Sequence, residues 1–381
     1  MDNTNQKKEF LIVFTDGHLS YSPSTLNLFF ELSKQYSVEL IAPKPPIDSY
    51  QHQIQHPAIN YMDFTLSENI FIRLIKFCRK IYEKIVPASE KVLALRSLND
   101  YRTKFLIKYL KNTNKEIIAV DFIALWCAEK ASKKAHLLSL ELKDFNYFEH
   151  IRYDTIKSVL IQSTERLNFL FKEKKPGYFI VQNAPKNIPF TPNYIKREKT
   201  DLIFCGTAVL WFGIITCLDF IKDFKEYTLT IKGAVPGDTM SVIEEFYGSL
   251  IQENRLIIDT KYLSEKDLTH YVSQFRIGLA FYDLYRFSHI KTFNYYTAPS
   301  GKVFQYLNSG LPVIANRLPA FKFIEDQKCG LLVDHLSSLQ IKLAIDQIEN
   351  DYIGFAKNSK KISAENDFRN MIEPFLDYLN N

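Results

Sequence analysis

The chain has 381 residues, more than one hydrophobic core ordinarily organises, so two domains are expected. Apolar residues make up 46%, with 30 Phe and 22 Tyr against 12 Gly, which excludes collagen-like, low-complexity and disordered chains. The net charge is only +5, and five scattered cysteines without a CxxC pair exclude a disulfide framework or a zinc site.

Along the chain, the apolar stretch Phe10–Phe14 is too short for a signal segment, and no later run matches a membrane span of about 18 residues. A cytoplasmic protein is expected. The first half opens with a strand at Phe10–Thr15, a loop at Asp16–Ser24, a helix at Thr25–Gln35 and a strand at Ser37–Ala42. Strand, loop, helix and strand in so short a span form the βαβ unit of a parallel sheet.

Between Ile70 and Lys115, twelve Lys/Arg stand against three Asp/Glu, interleaved with Phe71, Ile72, Leu74, Ile75, Phe77, Ile81 and Tyr82. Such a stretch suits an anionic membrane surface, giving a peripheral habit on the inner face of the cell membrane. An ordinary amphipathic helix with a solvated basic face explains it equally. No nucleic-acid-binding signature accompanies it, and no nucleic-acid partner is expected.

Further strands are expected at Glu116–Val120, His136–Leu140, Ser158–Gln162 and Tyr178–Val181, with a helix at Ala124–Ala135. The polar, proline-dotted segment from Lys186 to Lys199 reads as a linker. Beyond it the alternation restarts, with strands at Leu202–Cys205, Tyr227–Lys232, Leu256–Asp259, Ile277–Phe281 and Pro312–Ala315. Helices are expected at Ile214–Phe220 and Thr239–Ser249, from the Ser264/Asp267 cap to Phe275, and at Lys302–Ser309. The chain thus reads as two doubly wound α/β domains, 1–190 and 191–362. The remaining residues, 363–381, form a helix with Phe368, Ile372, Phe375 and Leu376 at helical spacing.

The segment Ala298–Ala315, APSGKVFQYLNSGLPVIA, carries the chemistry. A loop with Ser300 and Gly301 enters a helix whose unpaired N–H groups and positive dipole end attract anions. Lys302 adds a positive charge, and Gln305 lies one turn on.

GKVFQYLNSGLPVIA, with Cys329-Gly330-Leu331-Leu332-Val333 after it, resembles the donor-site signature of family 4 glycosyltransferases (glycosyl transferases group 1). Phe204-Cys205-Gly206, Leu229–Gly233, Tyr262-Leu263-Ser264 and Arg276–Ala280 resemble other pieces of that domain in the family's order. The resemblance implies a GT-B fold, two Rossmann-like domains facing each other across a cleft, with the last helix packing back on the first domain.

It also implies a nucleotide-sugar donor, most simply a UDP-sugar, with no cofactor and no metal. The base would rest near Tyr262 and Leu263. The pyrophosphate would meet Ser300, Gly301, Lys302 and Val303, the ribose would face Gln305, and Gly206 and Lys232 would belong to the donor-binding region. A glycan or lipid-linked acceptor would meet Asp16, Gly17 and His18 of the first domain. Retention at the anomeric carbon and a role in bacterial surface polysaccharide or lipopolysaccharide synthesis are implied by the resemblance alone.

The chain departs from the family pattern at its paired glutamates, which are Thr297 and Gln305 here, and at a first-domain His, which is Glu141. Gln can still bond hydroxyls as donor and acceptor, without the strength of a carboxylate. Phosphate charge then falls on Lys302, with Lys232, Arg286 or Lys291 as helpers. Glu141, at a strand end, is a candidate base or acceptor contact, against a salt bridge to Lys133, Lys134 or Lys143. His18 is a candidate base against a plain loop histidine, and Asp16 a candidate against a turn-former beside Gly17. Glu149 and His150 are simplest as surface groups. The missing carboxylates leave a competing expectation: a non-catalytic, nucleotide-sugar-binding subunit that partners an active transferase.

Overall fold

The computed structural model describes residues 7–15, 17–44, 54–62, 101–142, 151–172, 175–183, 185–192, 194, 198, 200–287, 292–298 and 300–381. The chain divides into two compact units, residues 1–180 with 374–381, and Val181–Glu373.

In the first unit the elements run β1 (Glu9–Phe14), α1 (Pro23–Ser33), β2 (Ser37–Pro43), β3 (Ile59–Met62) and α2 (Tyr101–Lys111). They continue as β4 (Glu116–Val120), α3 (Asp121–Lys130), β5 (Ala135–Ser139), β6 (Ile156–Ile161), α4 (Thr164–Leu170) and β7 (Gly177–Ile180). The strands form one parallel sheet in the order β3-β2-β1-β4-β5-β6-β7. Helices cover both faces of such a sheet, so its strands are apolar runs rather than alternations. Phe10, Leu11, Ile12 and Val13 of β1 are all fully buried.

The expected helix Ala124–Ala135 overran. Ser132 takes a left-handed φ of 59°, and the Ala131 and Lys133 N–H groups turn back to Cys127 and Ala128 carbonyls. That is a left-handed C-terminal stop made without glycine, and Ala135 already opens β5.

Of the basic stretch, residues 70–100 lie outside the described residues. Its remainder begins with α2, which buries Thr103, Leu106 and Leu110 while Lys104, Lys108 and Lys111 stay exposed. Among the described residues, no helix is long and apolar enough to cross a membrane.

In the second unit the elements run β8 (Asp201–Cys205), α5 (Ile214–Asp223), β9 (Thr228–Lys232), α6 (Gly237–Gln252), β10 (Leu256–Asp259), α7 (Glu265–Val272) and β11 (Ile277–Ala280). There follow α8 (Thr292–Thr297), α9 (Gly301–Asn308), β12 (Val313–Asn316), α10 (Lys322–Asp326), β13 (Gly330–Val333), α11 (Ser338–Asn350) and α12 (Tyr352–Glu365). A second parallel sheet results, in the order β10-β9-β8-β11-β12-β13. Side chains alternate between its faces: Leu202 and Phe204 enter one core with α5, while Ile203 and Cys205 enter another with α9.

Strand order reverses where β8 meets β11, and there the ladder is short, pairing only Ile277 with Leu202 and Gly278 with Ile203. Tyr306 of α9 takes over beyond it. Its hydroxyl accepts the Cys205 N–H at 2.8 Å and donates to the Leu279 carbonyl at 3.0 Å. Its ring lies where a Cβ on Gly278 would sit, at 2.4 Å, so glycine alone fits there.

The segment read as a linker starts inside the second unit. The Ile188 N–H donates to Asn308 Oδ1, and Lys360 Nζ donates to Asn187 Oδ1, the Ile188 carbonyl and the Asn308 carbonyl. The last helix, α13 (Phe368–Asn380), starts in the second unit, and its final turns belong to the first. There Phe375 packs on His136 and Phe179, and Asn380 accepts the Tyr36 hydroxyl at 2.6 Å.

Candidate functional site

In the second unit, two glycines meet at the carboxyl ends of β8 and β9. Gly206 has φ 112° and Gly233 has φ 143°, and a Cβ on Gly233 would sit 2.3 Å from the Gly206 carbonyl oxygen. Both the left-handed backbone and the close approach demand glycine. The Gly206 N–H donates to the Lys232 carbonyl at 2.8 Å, extending the ladder into the turn. The strand ends therefore lie bare of side chains beside the point of strand reversal, where ligands of open α/β sheets bind.

Helix α9 begins at the same end of the sheet. Ser300, its N-cap, is buried and makes no side-chain capping bond. Gly301 opens the helix against Asn183, whose Nδ2 would lie 3.3 Å from an added Cβ. Val303 is fully buried and donates its N–H to the Ser300 carbonyl at 3.0 Å.

Lys302 turns inward from the first turn, its Cε 4.0 Å from where a Gly206 Cβ would be. Its Nζ is buried and has no hydrogen-bonding partner among the described residues. Aromatic rings surround it, with Phe204 at 4.2 Å, Phe212 at 4.3 Å and Tyr282 at 5.9 Å. Burial pulls its pKa down to about 8, which still leaves it mostly charged at neutral pH. Burial also pushes the neighbouring Cys205 and Cys217 thiols up to about 12, so neither supplies a thiolate to balance the charge.

The other predicted groups of this unit are differently employed. Lys232 is buried, but its Nζ bonds Asp259 at 2.8 Å and the Lys261 carbonyl at 2.6 Å, and lies 4.9 Å from the Tyr271 ring. It pins the loop that presents Tyr262 and Leu263; Tyr262 is exposed and Leu263 half-buried. Gln305 is buried, and its amide donates to Thr269 Oγ1 at 3.1 Å, tying α9 to α7. Thr297 donates its hydroxyl to the Phe293 carbonyl within α8. Arg286 pairs with Asp283 at 3.3 Å, and Lys291 lies outside the described residues.

In the first unit, Asp16 lies outside the described residues, as do Lys143, Glu149 and His150. Gly17 takes φ 84°, and His18 caps the short turn Leu19–Tyr21 by accepting the Ser20 N–H at its Nδ1. Burial lowers the His18 pKa, favouring the neutral imidazole. Glu141 is exposed just past β5, and its backbone N–H donates to Asp121 Oδ1 at 3.0 Å.

Asp121 is the group that sequence reasoning passed over. It stands where β4 ends and α3 begins, with φ 59°, a strained value for a non-glycine residue. Its Oδ1 also accepts the Leu140 N–H at 2.7 Å. Burial, with the Glu141 charge adding to it, lifts its carboxyl to about 7 despite these bonds. A carboxyl titrating near neutrality at the β1/β4 strand reversal is equipped to hold or release a proton. The available signal was its place as the acidic residue closing an apolar strand.

The second unit thus offers a buried, unbalanced cation and a helix N-terminus at bare strand ends, an arrangement that accepts an anion. The first unit offers a carboxyl and an imidazole at its own strand ends. Among the described residues, no group of three or more His, Cys, Asp or Glu gathers as a metal site.

Residues 226–367 match the family described as Glucosyltransferase 3-like, C-terminal domain. No curated protein sequence matches the chain. Among solved structures, the chain is similar to the pneumococcal O-GlcNAc transferase GtfA in complex with UDP and GlcNAc, at 18% identity and a TM-score of 0.52. That similarity covers 72% of this chain and 59% of the transferase, so the chain spans under two thirds of that protein's length. Anabaena HepE in complex with UDP and glucose is similar at 11% identity and a TM-score of 0.59, covering 98% of this chain and 99% of HepE. Trehalose-6-phosphate synthase OtsA is similar at 12% identity and a TM-score of 0.61, again covering 98% and 99%. With two Rossmann-like parallel sheets and these neighbours, the chain has the GT-B fold of glycosyltransferases, its second unit carrying the glucosyltransferase 3-like region.

Proposed function

We propose that the chain is a glycosyltransferase that takes a sugar from a nucleotide-sugar donor, a UDP-sugar first, and passes it to a glycan or lipid-linked acceptor. The observation that carries this reading is Lys302, whose buried ammonium, beside the α9 N-terminus, has no hydrogen-bonding partner among the described residues. A diphosphate at Ser300, Gly301 and Val303 would supply the missing counter-charge, with helix dipole and ammonium acting together. Charge balance then comes from the protein rather than from a metal ion.

The bare Gly206–Gly233 turn gives the phosphates room. The loop pinned by Lys232 presents Tyr262 and Leu263 to the base, and Gln305 reaches the ribose only by exchanging its bond to Thr269. His18, Glu141 and Asp121, with Asp16, are the groups of the first unit for the acceptor. The resemblance to family 4 supports retention of anomeric configuration and a place in bacterial surface polysaccharide synthesis. The basic stretch supports a peripheral membrane habit on the cytoplasmic side.

The test is a thermal-shift series with UDP-, GDP-, CMP- and dTDP-sugars on the wild type and on Lys302→Ala. A bound ligand raises the melting temperature by mass action. One nucleotide class should shift the wild type and leave the variant unmoved. No shift with any class would sink the reading. A second reading, a non-catalytic nucleotide-sugar-binding subunit, is favoured by Gln305, whose amide is committed to Thr269. It would be preferred if a donor bound but was neither hydrolysed nor transferred to extracted lipid-linked glycans.

A further inference from the structure

A cavity of about 620 Å³ opens at the carboxyl ends of β11, β12 and β13, inside the second unit. That is the size of a small-ligand site. Its wall has aromatic and aliphatic parts: Tyr282 and Leu318 are buried, Tyr296 is partly open, and Tyr285 at the rim is 97% exposed. Tyr282 also flanks the Lys302 ammonium, so the cavity borders the anion site.

The charges of the wall are matched among themselves. Asp283 pairs with Arg286 at 3.3 Å, and Arg317 holds Asp334 at 2.6 Å and Glu325 at 2.6 and 3.0 Å. The Asn316 amide is locked to the Tyr282 backbone by two bonds, 2.9 and 3.1 Å long. Among the described residues, both arginines of this wall already hold carboxylates, unlike Lys302. A wholly apolar ligand would strip water from the ion pairs and gain nothing in return. The spare lone pairs and N–H groups of carboxylates and guanidiniums suit hydroxyl groups, and the tyrosine faces suit a C–H surface.

Together these features call for a neutral molecule with both hydroxyls and an apolar face. We propose that this cavity is a binding subsite for one unit of a neutral saccharide, with Tyr285 as the platform and the Arg317–Asp334 and Asp283–Arg286 pairs as hydroxyl partners. Two sources share that chemistry, the sugar of a nucleotide-sugar and a glycan; choosing between them rests on the transferase reading, whereas the cavity's preference does not.

The test is a saturation-transfer NMR titration of the full chain with maltotriose and chitotriose, repeated on Tyr285→Ala and Asp334→Ala. Tyr285 is exposed, so its truncation leaves the fold intact. At least one trisaccharide should bind in the millimolar range, and Tyr285→Ala should weaken it roughly tenfold while the response to UDP stays unchanged. Absence of binding at tens of millimolar, or binding that neither substitution alters, overturns the proposal. Displacement by UDP-glucose but not by UDP supports it with the donor's sugar as occupant; displacement by neither supports it with the glycan. Trisaccharide binding without any nucleotide binding would leave the subsite standing while the transferase reading failed.

Discussion

Replacing Lys302 with methionine should make the unliganded protein more stable while removing its response to nucleotide. The structure sets the magnitude. A lysine held at about 8, against an ordinary value near 10.4, gives up roughly 3 kcal/mol in its charged form at about 1.36 kcal/mol per pH unit. The Phe204 and Phe212 faces return part of this, about 0.5–1 kcal/mol each. A net gain of about 1–2 kcal/mol is therefore expected, since methionine fills nearly the same space without a charge.

For a domain of this size the melting temperature should rise by roughly 3–6 °C near pH 7. The linkage has a definite sign. The unfolded lysine binds its proton more tightly than the folded one, so wild-type stability gains from this group as pH rises from about 8 to about 10.4, and the variant lacks that slope. Differential scanning fluorimetry from pH 7 to 10, with and without UDP-glucose, measures both effects. A variant that melts lower than wild type, or that keeps the alkaline slope, would refute the account of Lys302 as an uncompensated charge awaiting an anion.

Three further outcomes follow from the same geometry. Tyr306→Phe leaves the Cys205 N–H and the Leu279 carbonyl without their hydroxyl partner, and should lower stability by about 1–3 kcal/mol in urea denaturation. Gly233→Ala forces a Cβ onto the Gly206 carbonyl at a left-handed φ, and should cost more than about 1 kcal/mol and abolish the thermal response to nucleotide. Asp121 holds its proton more tightly when folded, so its contribution to stability is greatest below about pH 4 and declines as pH rises towards 7. Asp121→Asn keeps an oxygen for the Leu140 and Glu141 N–H groups, and should flatten that slope in denaturant titrations at pH 5 and 8.

Much of the sheet was legible because a parallel strand buried on both faces must be a continuous apolar run, as at Glu116–Val120; the half-exposed edge strand Leu256–Asp259 still carried a short apolar run, and both have the expected bounds. The Ser264 cap was equally readable, since Ser264 Oγ does accept the Asp267 N–H. Elements that went unread had weaker local signals. The edge strand β3 is only four residues, α8 is short and aromatic, and the overrun of α3 was hidden because a serine rather than a glycine makes the left-handed stop. At the site, residue types marked the α9 entrance but not where the side chains go. Lys232 and Lys302 look alike as lysines, yet one has an aspartate 2.8 Å away and the other has three rings. Partners brought together by the sheet decide that difference. Asp121 likewise drew no attention until its backbone angle and the Leu140–Glu141 turn around it were known.

Tyr306 has a consequence for how binding can be signalled. Because its hydroxyl splices two strand ends and its ring occupies the space above Gly278, helix α9 cannot slide or roll without unmaking the centre of the sheet. The anion cradle is thus a fixed anvil rather than a moving part. Any change that follows the arrival of an anion there must be made by groups outside α9, such as the ring of Tyr285, which is 97% exposed.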